Sequence, residues 1–257
     1  MGMFDELLQP ALPQAGVVPG IVIGIVKDNW DKEHPGMVKV EYFLGEKGKN
    51  QTGWIPIATP YAGKEYGMYA LPEVGAEVVL AFQMGDRNCP VVIGSVWSRK
   101  NPVPQETANE KNAVKRLRTK GGCEIFFSEE EGKEQIRIQT PKNLSLLIED
   151  EKETIQIGDK DGKNGIVLDT KQGTLTVLAE KNTEIKVGGK TMASFDGKSG
   201  IIELTAGKFV CKTDQSTEIK GQTVKIDGSS INVKGSGTLK LESSGSTQVK
   251  GSVVQIN

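Results

Sequence analysis

Val224-Lys-Ile226-Asp-Gly228, Ile231-Asn-Val233-Lys-Gly235 and Leu239-Lys-Leu241-Glu-Ser243 repeat one unit: apolar, polar, apolar, polar, small. Two apolar residues separated by one polar residue share a face of an extended chain, and the glycine or serine that follows permits a corner. Each unit is therefore a very short strand ending in a bend. The second apolar residue of successive units falls at Ile219, Ile226, Val233, Leu241, Val249 and Ile256, at spacings of 7, 7, 8, 8 and 7 residues. So regular an interval predicts a solenoid or prism, in which a unit covers its single apolar face only by stacking on the next. The expected shaft core is Ile219, Val224, Ile226, Ile231, Val233, Leu239, Leu241, Val249 and Ile256.

Followed backwards, the pairing continues through Thr217/Ile219, Phe209/Cys211, Ile202/Leu204, Ala193/Phe195, Ile185/Val187, Leu175/Val177, Ile166/Leu168, Ile155/Ile157, Leu146/Ile148, Ile136/Ile138 and Ile125/Phe127, with spacings of 9 to 11 residues toward the start. From Ile125 onward this makes roughly sixteen strands, and at ~4.8 Å between neighbours their stack stands roughly 75 Å tall. Thr217 and Thr247 occupy positions where the unit calls for an apolar side chain. They either ring an axis and hold water or an ion, or are small β-formers tolerated there.

Composition agrees with a lean, repetitive chain: 31 glycines and 5% aromatic residues in 257 suit no thick enzymatic core. Lys and Arg total 32 against 33 Asp and Glu, so no overall charge draws the protein to nucleic acid or an anionic membrane. One local excess, Lys111, Lys115, Arg116, Arg118 and Lys120, reads either as a solvated linker or first strand, or as a contact surface. Cys89, Cys123 and Cys211 are odd in number and contain no CxxC, which fits neither a disulfide framework nor a zinc site and points to folding in reduced cytosol. Neither a signal peptide nor an apolar run of about 18 residues is expected.

In chain order, residues 1–19 carry Pro10, Pro13 and Pro19 and form either a disordered tail or an arm docking through Phe4, Leu7 and Leu8. Residues 20–98 alternate conventionally, with strands expected over 21–27, 37–43, 52–58, 76–83 and 90–97. Five short strands separated by turn residues predict a small barrel such as an OB-fold. Gly85-Asp86-Arg87-Asn88-Cys89 is its hairpin loop between the fourth and fifth strands. Trp30, Tyr42, Trp54, Tyr61, Tyr66 and Tyr69 offer stacking surfaces, but the segment is not basic and Trp54 reads better as a core or interface residue. Residues 99–120 form a linker and 121–257 the shaft, so the fold class is all-β.

No catalytic chemistry stands out. The single histidine, His34, lies in the polar loop Asp31-Lys-Glu-His-Pro-Gly36 and reads as a surface turn residue. There is no GxxxxGK[ST], no GxGxxG after a strand and no HExxH. Carboxylates at 129–131 and 149–151 fall at bends, where solvated charge is ordinary. Catalytic, cofactor and metal sites are all expected to be absent.

Three stretches now resemble a known family: Trp54-Ile-Pro-Ile-Ala-Thr-Pro60, Leu71-Pro-Glu-Val-Gly75-Ala-Glu-Val-Val-Leu-Ala-Phe82, and Gly85-Asp86-Arg87-Asn88-Cys89-Pro90-Val-Val-Ile-Gly94-Ser-Val-Trp97. Lys120-Gly-Gly-Cys-Glu-Ile125 and Gly132-Lys-Glu-Gln-Ile136-Arg-Ile138 follow in the same order. Together they are similar to the gp5/VgrG-type central spike of contractile tails, the phage baseplate assembly protein V family, over roughly residues 18 to 257.

The resemblance implies a homotrimer, with three OB-folds in a collar and three chains winding into an intertwined triangular β-helix, or β-prism. Periodicity by itself fits three interlaced chains or one coiled chain. The function implied is a structural spike of a phage tail, tailocin, type VI-like or extracellular injection system, without enzymatic activity or cofactor, which punctures a target envelope when a sheath contracts. The chain has room for neither a large hub domain nor an effector enzyme, so a separate hub or baseplate protein is expected at the amino-terminal end. A histidine-bound apical metal is excluded, and Val253, Val254, Ile256 and Asn257 are expected to seat a PAAR-type tip protein. Assembly in the bacterial cytoplasm and release with a tail-like particle follow from the same likeness. The rivals are a trimeric receptor-binding tail spike or adhesin gripping polysaccharide, and a β-helical lyase or hydrolase; beyond residue 128 the only aromatics are Phe195 and Phe209, few for gripping sugars.

Overall fold

The computed structural model describes residues 17–18, 20–42 and 50–256. Phe4, Leu7, Leu8 and Asn257 lie outside the described residues. The chain divides into two compact units, Met1–Thr183 with Phe195–Ile201, and Glu184–Ser194 with Ile202–Asn257.

The first unit opens with β1 (Ile21–Asp28) and β2 (Lys39–Tyr42), then a small hairpin of β3 (Ala62–Gly63) and β4 (Tyr66–Gly67), then β5 (Glu77–Phe82) and β6 (Pro90–Ser95). The main sheet runs β2-β1-β5-β6. Alternation decides what is inside: in β5, Val78, Leu80 and Phe82 are buried while Glu77, Val79 and Ala81 are only half-buried. Val26, Val38, Val40 and Val92 complete the fully buried centre with Val78 and Leu80.

The strand expected over 52–58 is not continuous. Isolated bridges take its place, Glu41 to Gln51 and Val38 to Ile55 antiparallel, and Ile57 to Val92 parallel. Pro56 lacks an N–H and so cannot donate to a ladder, although its carbonyl accepts from Val92 N at 3.1 Å. The irregular segment still joins β2 to β6 and closes the barrel. The loop after β5 forms as expected: Gln83 N donates to Cys89 O at 3.1 Å, and Asn88 N donates to Asp86 Oδ1 at 2.9 Å.

Close strand approach depends on Gly24, where a Cβ would stand 2.4 Å from Val40 Cγ1 and 2.9 Å from Glu41 O. Gly24→Ala should destabilise the barrel by about 1–3 kcal/mol through overpacking, read as a lower denaturant midpoint with an unchanged slope.

A second sheet follows, β7 (Val114–Arg118), β8 (Glu124–Ser128), β9 (Gln135–Gln139), β10 (Ser145–Glu149), β11 (Thr154–Gly158), β12 (Gly165–Asp169) and β13 (Thr174–Leu178). Neighbours in sequence are neighbours in the sheet, all antiparallel. The basic segment around 111–120 is thus partly its first strand. The hairpin loops reuse one device, a residue in the left-handed region: Gly122, Gly132, Asn143, Glu153, Gly162 and Gly173 all have positive φ. Side chains fix the corners as well. Thr119 Oγ1 accepts from Cys123 N and Thr140 Oγ1 from Leu144 N, both at 3.1 Å. Asp159 accepts from Asn164, a bond that holds its carboxyl below the ordinary range.

Next come β14 (Asn182–Val187), β15 (Lys190–Asp196) and β16 (Ile201–Leu204), with Gly188 and Gly189 both at positive φ in the two-residue turn after β14. Beyond them no strand is found among the described residues, and the chain bends at 207, 214–215, 222, 229–230, 236–237, 244–245 and 252. From 222 onward each bend begins three residues after the second apolar residue of a unit, so the interval read from sequence is the interval of the corners.

Candidate functional site

Every strand from β7 to β13 has five residues, and registers align them without slippage. Second and fourth residues therefore form two rows across one face. One row is Leu117, Ile125, Ile138, Leu146, Ile157, Ile166 and Val177. The other begins with Lys115 and continues through Phe127, Ile136, Ile148, Ile155, Leu168 and Leu175.

Almost nothing in the same unit covers this face. Ile157 is 53% exposed and Leu175 68%, and an apolar trough of ≈ 890 Å³ runs over Leu117, Ile125, Ile138, Leu146, Ile157 and Ile166. A chain that remains single rarely leaves so large a contiguous apolar surface in water.

The opposite face is polar. Its first and third strands bring Arg116, Arg118 and Arg137 around Glu124, which is buried, and Arg116 and Arg137 stack on Phe126. Glu149, Gln156 and Thr154 form a hydrogen-bonded group further along. The sheet is thus two-sided in chemistry.

In the 205–256 segment the same two-sidedness holds without a sheet among the described residues. Ile219, Val224, Ile226, Ile231, Val233, Leu239, Leu241, Val249, Val253, Val254 and Ile256 are all more than half exposed. The charges between and after them pair along the other side, Lys220 with Glu218, Lys225 with Asp227 and Lys240 with Glu242. An i, i+2 pair can form only if both partners leave the backbone in the same direction.

The backbone makes the stronger point. Among the described residues, no backbone–backbone hydrogen bond is found beyond the one from Thr205 N to Met192 O. Over some fifty residues the backbone N–H and C=O groups have no backbone partner in their own chain, Gly245 N donating only to the Ser243 side chain at 3.1 Å, a condition that buried backbone cannot sustain. Thr217 does find one neighbour, its Oγ1 lying 2.9 Å from Thr213 Oγ1, and Thr247 is exposed.

Chemistry elsewhere is sparse. No group of three or more His, Cys, Asp or Glu side chains among the described residues is placed to hold a metal ion. Cys89, Cys123 and Cys211 are free and exposed. His34 sits in a turn, hydrogen-bonded to Asp31 at 2.8 Å and stacked on Trp54 at 5.9 Å, with Lys39 Nζ 4.6 Å above the Trp54 ring. The hydrogen bond from His34 lowers the pKa of Asp31. Of the stacking candidates, Tyr42 belongs to the core, whereas Trp30, Tyr61, Tyr66 and Tyr69 are exposed. No helix among the described residues is long and apolar enough to cross a membrane.

A barrel running into a two-faced sheet and then a metrically bent tail narrows the comparison with known proteins. Residues 22–97 match the family model described as the type VI secretion system/phage-baseplate injector OB domain. The chain is 29% identical over 258 residues to the type VI secretion system spike protein VgrG1a of Pseudomonas aeruginosa, an alignment covering 94% of this chain and 40% of that protein. The chain is similar to the gp5/VgrG-type spike proteins.

Other relatives match a shorter stretch. VgrG1b of Pseudomonas aeruginosa is 31% identical over 156 residues, 57% of this chain and 20% of that protein. The actin cross-linking toxin VgrG1 of Vibrio cholerae is 29% identical over 154 residues, 57% of this chain and 14% of that protein. The chain therefore spans two fifths or less of the length of these relatives.

Sequence reasoning missed the ion cluster. It noted Arg116 and Arg118 as part of a basic run, but the signal that joins them to Glu124 and Arg137 is strand register, with Arg118 directly opposite Glu124 and Arg116 in line with Phe126 and Arg137. Register becomes visible only once the five-residue strand length is fixed.

Proposed function

We propose that the protein is the central spike of a contractile injection machine, a rigid shaft that punctures a target envelope when a sheath contracts. Three copies turn their β7–β13 apolar faces inward to make a triangular prism. Their 205–256 segments then pair with one another, since each has no partner in its own chain. The single observation that carries this reading is that one chain holds both an uncovered apolar face and an evenly bent backbone without backbone partners. Both deficits are met by the same event, association with further copies.

In the upper shaft, each side of the prism is built from consecutive strands of one chain. In the lower shaft, adjacent strands come from different chains. The barrel end meets a hub or baseplate protein, and Val253, Val254 and Ile256, all exposed, form the seat for a PAAR-type tip. The shaft contributes stiffness and no catalysis. Assembly takes place in the bacterial cytoplasm before the particle is loaded.

Removing the gene from a producing cell should leave no sheathed particle able to contract onto a target, with restoration by the intact chain. Normal numbers of fully active particles in its absence would contradict the reading.

A further inference from the structure

The polar face of the β7–β13 sheet carries an imbalance of charge that its own residues leave unresolved. Three guanidinium groups share one carboxylate: Arg116 Nε lies 3.1 Å from Glu124 Oε2, Arg118 Nη1 3.7 Å from the same oxygen, and Arg137 Nη2 3.3 Å from Oε1. The side chains of Glu124 and Arg116 are 8% and 9% exposed. That buried pair is balanced; the surplus positive charge is carried by Arg137 and Arg118, 31% and 49% exposed, at its edge, where a second anion would meet it.

Hydrogen bonding shows where that anion belongs. Arg116 directs Nη1 to Gln105 O and Thr107 Oγ1, each at 3.0 Å, and Nη2 to Glu124 Oε1 at 3.3 Å. Its Nε is within ion-pair distance of Glu124 but is not aligned to bond it. The Nε atoms of Arg116 and Arg137 are both buried without a hydrogen-bond acceptor among the described residues. Phe126 stacks beneath the two guanidinium groups, at 5.2 Å and 4.7 Å from its ring centre, and holds their planes in place. Over them lies a polar hollow of ≈ 420 Å³, whose rim includes Lys120, Gln139 and Asn143. Lys120 is also paired with Glu73 at 3.3 Å; with Lys120 set aside, three arginines still face a single carboxylate.

We propose that this hollow is an oxyanion site that accepts one carboxylate or phosphate group beside Glu124. Guanidinium groups present donors in a flat fork that matches such an anion. The anion comes either as a free phosphate-like ion or as the acidic side chain of a protein segment lying along the polar face. The site stands apart from the apolar face, so its failure would leave the spike reading untouched.

The intact protein is titrated by calorimetry with inorganic phosphate and, separately, with a short glutamate-containing peptide, both at constant ionic strength. Saturable binding of one equivalent per chain is expected; tighter phosphate identifies a free ion, and tighter peptide an acidic segment. Arg137→Gln should weaken binding by about tenfold, since it removes a charged donor. Glu124→Gln should tighten it by a similar factor, because the competing carboxylate is gone. If Glu124→Gln does not fold, Arg118→Gln, at a side chain 49% exposed, should weaken binding as Arg137→Gln does. Absence of saturable binding at about 10 mM of either ligand, or equal affinity across the variants, overturns the proposal.

Discussion

Leu175→Asp should abolish assembly, and Thr176→Asp on the same strand should not. The two residues are neighbours in β13 and both exposed in a single chain, so within one chain the substitutions cost little and about equally. They differ in the face they occupy. Leu175 ends the row that passes through Leu168, Ile155 and Ile148, whereas Thr176 lies opposite Val167 on the polar side. When three copies turn the apolar rows inward, an aspartate at 175 becomes a buried, unpaired charge, and its two symmetry mates bring like charges near it. Desolvation of that kind should cost about 3 kcal/mol or more per chain, added to the lost burial of a leucine at about 1.5–3 kcal/mol. Sedimentation should show single chains for Leu175→Asp and the full particle for Thr176→Asp. Identical behaviour would mean that the apolar rows do not face inward.

Val233→Asp and Lys234→Glu make the same comparison in the 205–256 segment, where no sheet is found among the described residues. Val233 is 66% exposed in one chain and sits at the second apolar position of its unit, three residues before the bend at 236–237. In the proposed assembly backbone pairing there comes from other copies, so the effect should extend well beyond one side chain. In the assembled protein, amide hydrogens of residues 205–256 should exchange slowly. Val233→Asp should make them exchange at rates near those of an unpaired chain while the β7–β13 sheet keeps its own protection. Lys234→Glu should leave exchange unchanged. Equal exchange in the two variants would refute the assignment of inner and outer positions.

How much of this could be read before the structure was known follows from which interactions are local. The pairs Ile136/Ile138, Leu146/Ile148, Ile155/Ile157, Ile166/Leu168 and Leu175/Val177 were legible because alternation in an extended chain sends both members to one side whatever they pack against. The corners after Ile219, Ile226, Val233, Leu241 and Val249 were legible for the same reason. The segment 52–58 was not, because Pro56 removes a donor from a stretch whose alternation is otherwise that of a strand. Pairing partners of the 205–256 segment were also out of reach, as a period of seven or eight residues fits interlaced or coiled chains equally. The Glu124 cluster lay deepest of all, since residues 116, 118, 124 and 137 meet only through register across three strands.

The mass of the purified particle in solution, measured by light scattering across a range of concentrations, addresses the central claim most directly: that the apolar face and the unpaired backbone are completed by copies of the same chain. Three times the 27.7 kDa of a single chain is the expected result, unchanged on dilution. A mass of one chain at every concentration would contradict it.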